Sequence, residues 1–370
     1  MRGRRDPQVT MLAFIDMEAR VPPDHPLRMI KTIADQVLAA LSPVFDGMYK
    51  EIGRPSVPPE RLLKASLLIS LFSVRSERAF CEELDFNLLW RWFLDMNLIE
   101  PSFDATTFTK NRENLLKHKV GQQLFDEVVL AADALGLLSD EHFTVDGTLI
   151  EAAASLKSFK PREGETKPPT DDDRGNPSVD FHGEKRTNAT HQSTTDPDAR
   201  LYRKSKGTTA KLAFLGHALM ENRNGLVMDF QVTPATGTAE RDMVPVLIDQ
   251  AKERHFHPKT LGADRGYDTS DCVRSMRQRR VTPHVAQNQS RRRSAIDGRT
   301  TCKPGYKVSL RLRKRVEEIF GWMKVVGGFR RTRYRGLEKT GLAGYFVATA
   351  YNLVRIARLI LEGKAEAAAA

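Results

Sequence analysis

Cysteine is nearly absent from this chain: there are three among 370 residues, Cys81, Cys272 and Cys302, set far apart. No CxxC or other paired-ligand spacing links them. This argues against a disulfide framework or a structural zinc site and suits a reducing, cytoplasmic compartment. Each thiol is expected to be buried or inert. Long hydrophobic runs are also missing. The longest, Leu62–Val74, contains Lys64 and is too short to cross a bilayer. The basic start MRGRRDPQ is followed by no apolar segment, so neither a signal peptide nor a membrane partner is expected. No G-x-x-x-x-G-K-[ST] loop occurs, so no nucleotide cofactor is expected to drive the chemistry.

What is present is enough for a large core. Forty per cent of the residues are hydrophobic and 28% charged, a length and composition that suit two or three domains. The net charge of +11 is unevenly spread. From Arg274 to Arg335 there are 19 Lys and Arg against Asp297, Glu317 and Glu318, or +16, which leaves −5 for the rest. Charge concentrated in this way favours a polyanionic partner, nucleic acid first. Within the segment, Arg291–Arg293 reads as a solvated basic loop.

Residues 1–120 read as all-helical. The segment His25–Leu41 has helical periodicity after the Pro22–Pro23 break, and a second helix follows Pro58 and Pro59, positions where proline is tolerated. SERAFCEELDFNLLWRWFLDM makes one or two short helices, with Trp90, Trp92 and Phe93 as core residues. Asp104 or Thr106 caps the next helix. Short helices in series fit a helix-turn-helix DNA-binding module and fit other helical bundles equally well. From His142 the pattern changes. HFTVDGTLIEAA predicts a strand ending in a turn at Asp146–Gly147. Lys157–Lys206 is polar and reads as an inserted loop, with Asp171–Asp173 a solvated acidic run. Beyond it come a hairpin joined at Asn222–Gly225, a helix, a short strand ending at Asp264, a helix capped by Thr269 or Ser270, and a further strand. This order predicts a mixed α/β sheet covered by helices.

Arg311–Lys324, RLRKRVEEIFGWMK, is expected to form one helix whose Val316, Ile319, Phe320 and Met323 make an apolar stripe. At about 100° per residue, Arg313, Glu317 and Lys324 fall within roughly 40° of one another along its edge, with Glu318 roughly 100° further round. A surface salt-bridge ladder would look the same. Asp146 and Asp264 at strand ends change the balance, because acids at strand ends of an α/β sheet converge on a common point. Three carboxylates suit hard cations such as Mg²⁺ or Mn²⁺, and two ions about 4 Å apart could activate water and stabilise a leaving oxygen at a phosphodiester.

TVDGT around Asp146, ADRGYD around Asp264 and R-x3-E-x6-K at Arg313, Glu317 and Lys324 resemble the DDE transposases of bacterial insertion sequences. The match is best to the IS-five type within the IS-four superfamily. The resemblance runs from about Asp24 to Leu361 and is weakest in the insert and the alanine-rich end. It implies an RNase H-like fold at 121–361 behind a DNA-end-binding helical domain at 1–120, with a tail at 362–370. It also implies Asp146, Asp264 and Glu317 as catalytic metal ligands for two Mg²⁺ or Mn²⁺ ions, Arg313 and Lys324 on DNA phosphates, and Arg265 and Tyr267 beside the substrate. One departure stands out: where the superfamily has a Tyr three positions before the Arg, this chain has Leu310. The implied partners are double-stranded DNA, as transposon ends and target, and a second copy of the chain. A metal-dependent nuclease of the same fold and a non-catalytic DNA-binding regulator are the competing readings.

Overall fold

The computed structural model describes residues 15–49, 56–162, 179–181, 184–203, 208–289 and 293–369. The acidic run Asp171–Asp173 and residues 291 and 292 of the basic loop lie outside them. Helices come first: α1 (Met17–Arg20), α2 (Pro26–Ala40), α3 (Ser42–Met48), α4 (Pro59–Leu71), α5 (Glu77–Leu84), α6 (Leu88–Phe93), α7 (Thr106–Lys117) and α8 (Val120–Ala134). Pro26 and Pro59 open their helices at the position where a missing N–H costs nothing. α2 buries Leu27, Ile30, Ile33, Ala34, Val37 and Leu38, one stripe at helical spacing. Trp90, Trp92 and Phe93 are core, and Trp90 stacks on Phe80 with ring centroids 4.9 Å apart. The α7 entrance is held by Asp104, whose Oδ1 accepts from the Thr106 N–H at 2.7 Å.

The strands are β1 (His142–Glu151), β2 (Phe159–Pro161), β3 (Val179–Phe181), β4 (Glu184–Arg186), β5 (His191–Ser193), β6 (Arg200–Tyr202), β7 (Lys211–Glu221), β8 (Val227–Pro234), β9 (Thr260–Ala263) and β10 (Thr282–Val285). The main sheet runs β10-β9-β1-β7, with β8 and β6 sharing the far edge of β7. β10, β9 and β1 are parallel, whereas β7 is antiparallel to β1, β6 and β8. Counting only the five strands β1, β7, β8, β9 and β10, the spatial order is third, second, first, fourth, fifth. This is the RNase H-like mixed sheet. α9 (Ala239–Glu253) and α10 (Ser270–Gln278) connect the strands, and α11 (Gly298–Thr301), α12 (Pro304–Leu312), α13 (Val316–Val325) and α14 (Leu337–Ala369) follow. α14 packs on β8 and also on α8, α4 and α2, within one continuous apolar core.

Three expectations need correction. β1 does not turn at Asp146–Gly147; residues 147–151 continue to pair with β7, so Asp146 sits mid-strand opposite Ala218. The insert is not all loop. β2 pairs with β5, and β6 joins the main sheet through Arg200, Leu201 and Tyr202 against Ala213, Leu212 and Lys211. The alanine-rich end is no separate tail, because α14 runs through residue 361 to Ala369. Among the described residues, no helix is long and apolar enough to cross a membrane. Cys81 and Cys272 are buried, and burial pushes their thiols up to about 12 and about 11, which keeps them protonated and unreactive; Cys302 is exposed.

Candidate active site

Strand periodicity builds the centre of the site. Thr144 of β1 lies beside Gly262 of β9 in parallel register. Side chains alternate across a strand, so Asp146, two positions on in β1, shares the face of Thr144, while Asp264 directly follows the end of β9 in extended backbone, two positions beyond Gly262. Each aspartate is partly fixed by a backbone donor: the Gly147 N–H donates to Asp146 Oδ1 at 2.8 Å, and the Gly266 N–H donates to Asp264 Oδ1 at 2.7 Å. Asp264 thereby caps the short turn Arg265–Tyr267, where Arg265 is exposed.

Over the same face runs the chain from α12 to α13. A Cβ placed on Gly262 would lie 3.3 Å from Ser309 Oγ and 3.5 Å from Arg313 Cβ, so glycine at this position lets the helical layer rest on the sheet. The helix expected to be continuous from Arg311 to Lys324 is broken. Arg313–Arg315 form a 3-10 turn, with ψ of −26° at Arg313 and −24° at Arg315. A 3-10 turn advances about 120° per residue, so Glu317 is carried roughly 60° beyond the position that an α-helical wheel assigns. Glu317 and Glu318 are exposed, Arg313 and Lys324 are half-buried, and Arg315 donates to the carbonyls of Asn222 and Arg223, both at 3.3 Å. Leu310, in the position of the absent Tyr, packs against the core.

Among the described residues, no three acids, cysteines or histidines are close enough together to hold one metal ion. Asp146, Asp264 and Glu317 are therefore not gathered into a finished site here. Tyr267, beside the second aspartate, packs inside the fold. It is completely buried and so cannot stack on DNA, and its hydroxyl has no hydrogen-bond partner. Burial raises that hydroxyl well above its ordinary range, and the carboxylates of Glu240, Asp146 and Asp264 push it further. Glu240, in the first turn of α9, was not singled out by the sequence. The signal for it was an acid one residue into the helix after the hairpin, which reads equally well as a charge matching the helix dipole.

A mixed sheet in this order, three-two-one-four-five with its parallel strands on one side, has the RNase H-like topology. The Transposase DDE domain family matches residues 139–353, and the Transposase domain (DUF772) matches residues 15–114. The chain belongs to the transposase DDE domain family: it is an insertion-sequence DNA transposase, an enzyme that depends on divalent metal. Solved structures similar to it include a piggyBac transposase synaptic complex with hairpin DNA, at 12% identity over 92% of this chain and 76% of that one, with a TM-score of 0.40. A Mos1 transposase paired-end complex with left transposon end is 12% identical over 64% of this chain and 61% of that one, with a TM-score of 0.20.

Proposed function

We propose that this chain is a transposase of the IS-five type that acts in the cytoplasm. It binds the inverted-repeat ends of its element, cuts them, and joins the freed 3′ hydroxyls to target DNA as a dimer. The observation that supports this reading is that Asp146 lies in β1 and Asp264 directly after β9, its parallel neighbour, where the helical layer bearing Arg313 and Lys324 crosses Gly262. Residues 1–120 are assigned to end binding and residues 121–361 to catalysis.

The donor chemistry of that face suits hard cations. Asp146 and Asp264 offer carboxylate oxygens, the donors that hard cations prefer. Asp146, Asp264 and Glu317 would hold Mg²⁺ or Mn²⁺, and two such ions would supply water activation and stabilisation of the leaving oxygen. Glu317 would join the aspartates when the Arg313–Arg315 turn rewinds as α-helix, since the rewinding returns it by roughly 60° toward the stripe of Arg313. Arg313 and Lys324 hold phosphates on either side, and Arg265 lies exposed beside Asp264 to meet the same strand.

The test uses Asp146→Asn, Asp264→Asn and Glu317→Gln with DNA carrying the element's ends. Cleavage and strand-transfer products are expected to fall by at least about two orders of magnitude in each variant, while end binding in a gel-shift assay stays near wild type. Normal cleavage by all three would end the assignment. Free ends without joined products in the wild type would instead identify a nuclease of the same fold.

A further inference from the structure

We propose that Glu240 is a further catalytic carboxylate of this site, holding the divalent cation together with Asp146 and Asp264. The inference rests on the metal-binding reading of the two aspartates given above.

Four observations carry it. Gly147, next to Asp146, has no Cβ, and Glu240 occupies the place where one would be: its Oε1, Cγ and Cδ lie 2.4, 2.8 and 2.9 Å from the position a Cβ would take. Any other residue at 147 would push the Glu240 carboxylate away from β1. Second, the α9 entrance is fixed in this position. Ala239 is buried with Ala213, Leu215 and Ala235 in a small cluster flanked by Leu149 and Tyr202, so the first turn of α9 is pinned to the sheet. Third, that turn also meets the loop of the second aspartate, where the Arg241 guanidinium donates to the Gly266 carbonyl at 3.4 Å. Fourth, the Tyr267 hydroxyl is fully buried without a hydrogen-bond partner, and among its charged neighbours Glu240 acts on it most strongly, followed by Asp146 and Asp264. A buried hydroxyl left unpartnered costs free energy, and water held by an ion could donate to the phenol oxygen and supply the missing partner.

Among the described residues the acids do not yet stand close enough to grip one ion, so binding would draw them together. On this assignment the site draws acids from both sides of the sheet. Glu240 enters from the α9 layer, and Glu317 belongs to the α12–α13 layer.

Tyr267 supplies a readout that needs neither DNA nor turnover. Terbium(III) titrated into the DNA-free full-length protein is expected to give tyrosine-sensitised luminescence, which Tyr267→Phe removes. Glu240→Gln and Asp146→Asn should each weaken terbium binding by about tenfold, with Glu240→Asp in between. In end cleavage, Glu240→Gln should raise the Mg²⁺ concentration for half-maximal rate by a similar factor. Melting temperatures near wild type would show that the variants are folded. If Asp146→Asn loses terbium while Glu240→Gln binds it like wild type, this inference fails alone. If Asp146→Asn and Asp264→Asn both bind it like wild type, the reading beneath it fails as well.

Discussion

His284 lies under α12 with neither ring nitrogen hydrogen-bonded, edge-on to Tyr306 at 5.7 Å and 6.5 Å from the His142 ring. Burial lowers it from near 6.5 to about 4, and the charges of His142 and Lys303 act in the same direction. A histidine depressed in the folded state contributes stability above the unfolded value and loses it as pH falls through the folded one. The fold should therefore weaken between pH 6.5 and about 4. His284→Leu removes the ring without breaking a hydrogen bond and should flatten that acid limb by about 2 kcal/mol in urea unfolding compared at pH 7 and pH 4.5. Equal losses in both proteins would place the acid sensitivity elsewhere. Single residues also show what a sequence conceals. The positions of Asp146 and Asp264, in one strand and just past the end of its neighbour, were legible because strand patterns flank them. The position of Glu240 was not, because it comes from filling the space above Gly147, 93 positions earlier in the chain.

Helices and strands were legible wherever their periodicity was local. The hairpin of β7 and β8 and the capped entrance of α10, where Thr269 accepts from the Cys272 N–H, follow from short patterns. The segment Arg311–Lys324 misled for a physical reason. A helical wheel assumes one twist throughout, and three basic residues in succession wind as a 3-10 turn that the apolar spacing does not reveal. β6 was hidden likewise, since its strand character comes from the edge of β7 and not from its own three residues. The α14 layer can be tested at this scale. A Cβ on Gly344 would lie 2.5 Å from Phe230 Cε1 and 3.4 Å from Val232 Cγ2, whereas one on Gly341 would meet nothing within 4 Å. Gly344→Val should lift α14 from β8 and cost about 1–3 kcal/mol. Gly341→Ala, on the same helix, should stabilise by about 0.5–1 kcal/mol through helix propensity. Matching melting shifts for the two would mean that α14 does not rest on β8 in this register.

Across the whole molecule, charge and shape coincide. The segment Arg274–Arg335, which carries +16, includes α12 and α13, the layer lying over Asp146 and Asp264. Some of that charge is already committed: Arg279 pairs with Asp249 at 2.7 Å and Arg277 with Asp297 at 3.1 Å. Such paired arginines shape the surface and add little to a DNA footprint. Arg313 is different: it rests on Gly262 of β9 and is half-buried, and on the proposed reading a phosphate brought to the acids meets it. Counterion release makes this measurable. Each phosphate contact removed should reduce the magnitude of the slope of log binding constant against log salt by about 0.9. Arg313→Ala and Lys324→Ala should each lower it by about one, and the double variant by about two, with binding weakened uniformly across DNA sequences. Arg279→Ala, made alongside, should leave the slope unchanged while lowering stability. A slope that falls for Arg279→Ala and holds for the other two would move the DNA path off the aspartate face and onto the α10 side of the sheet.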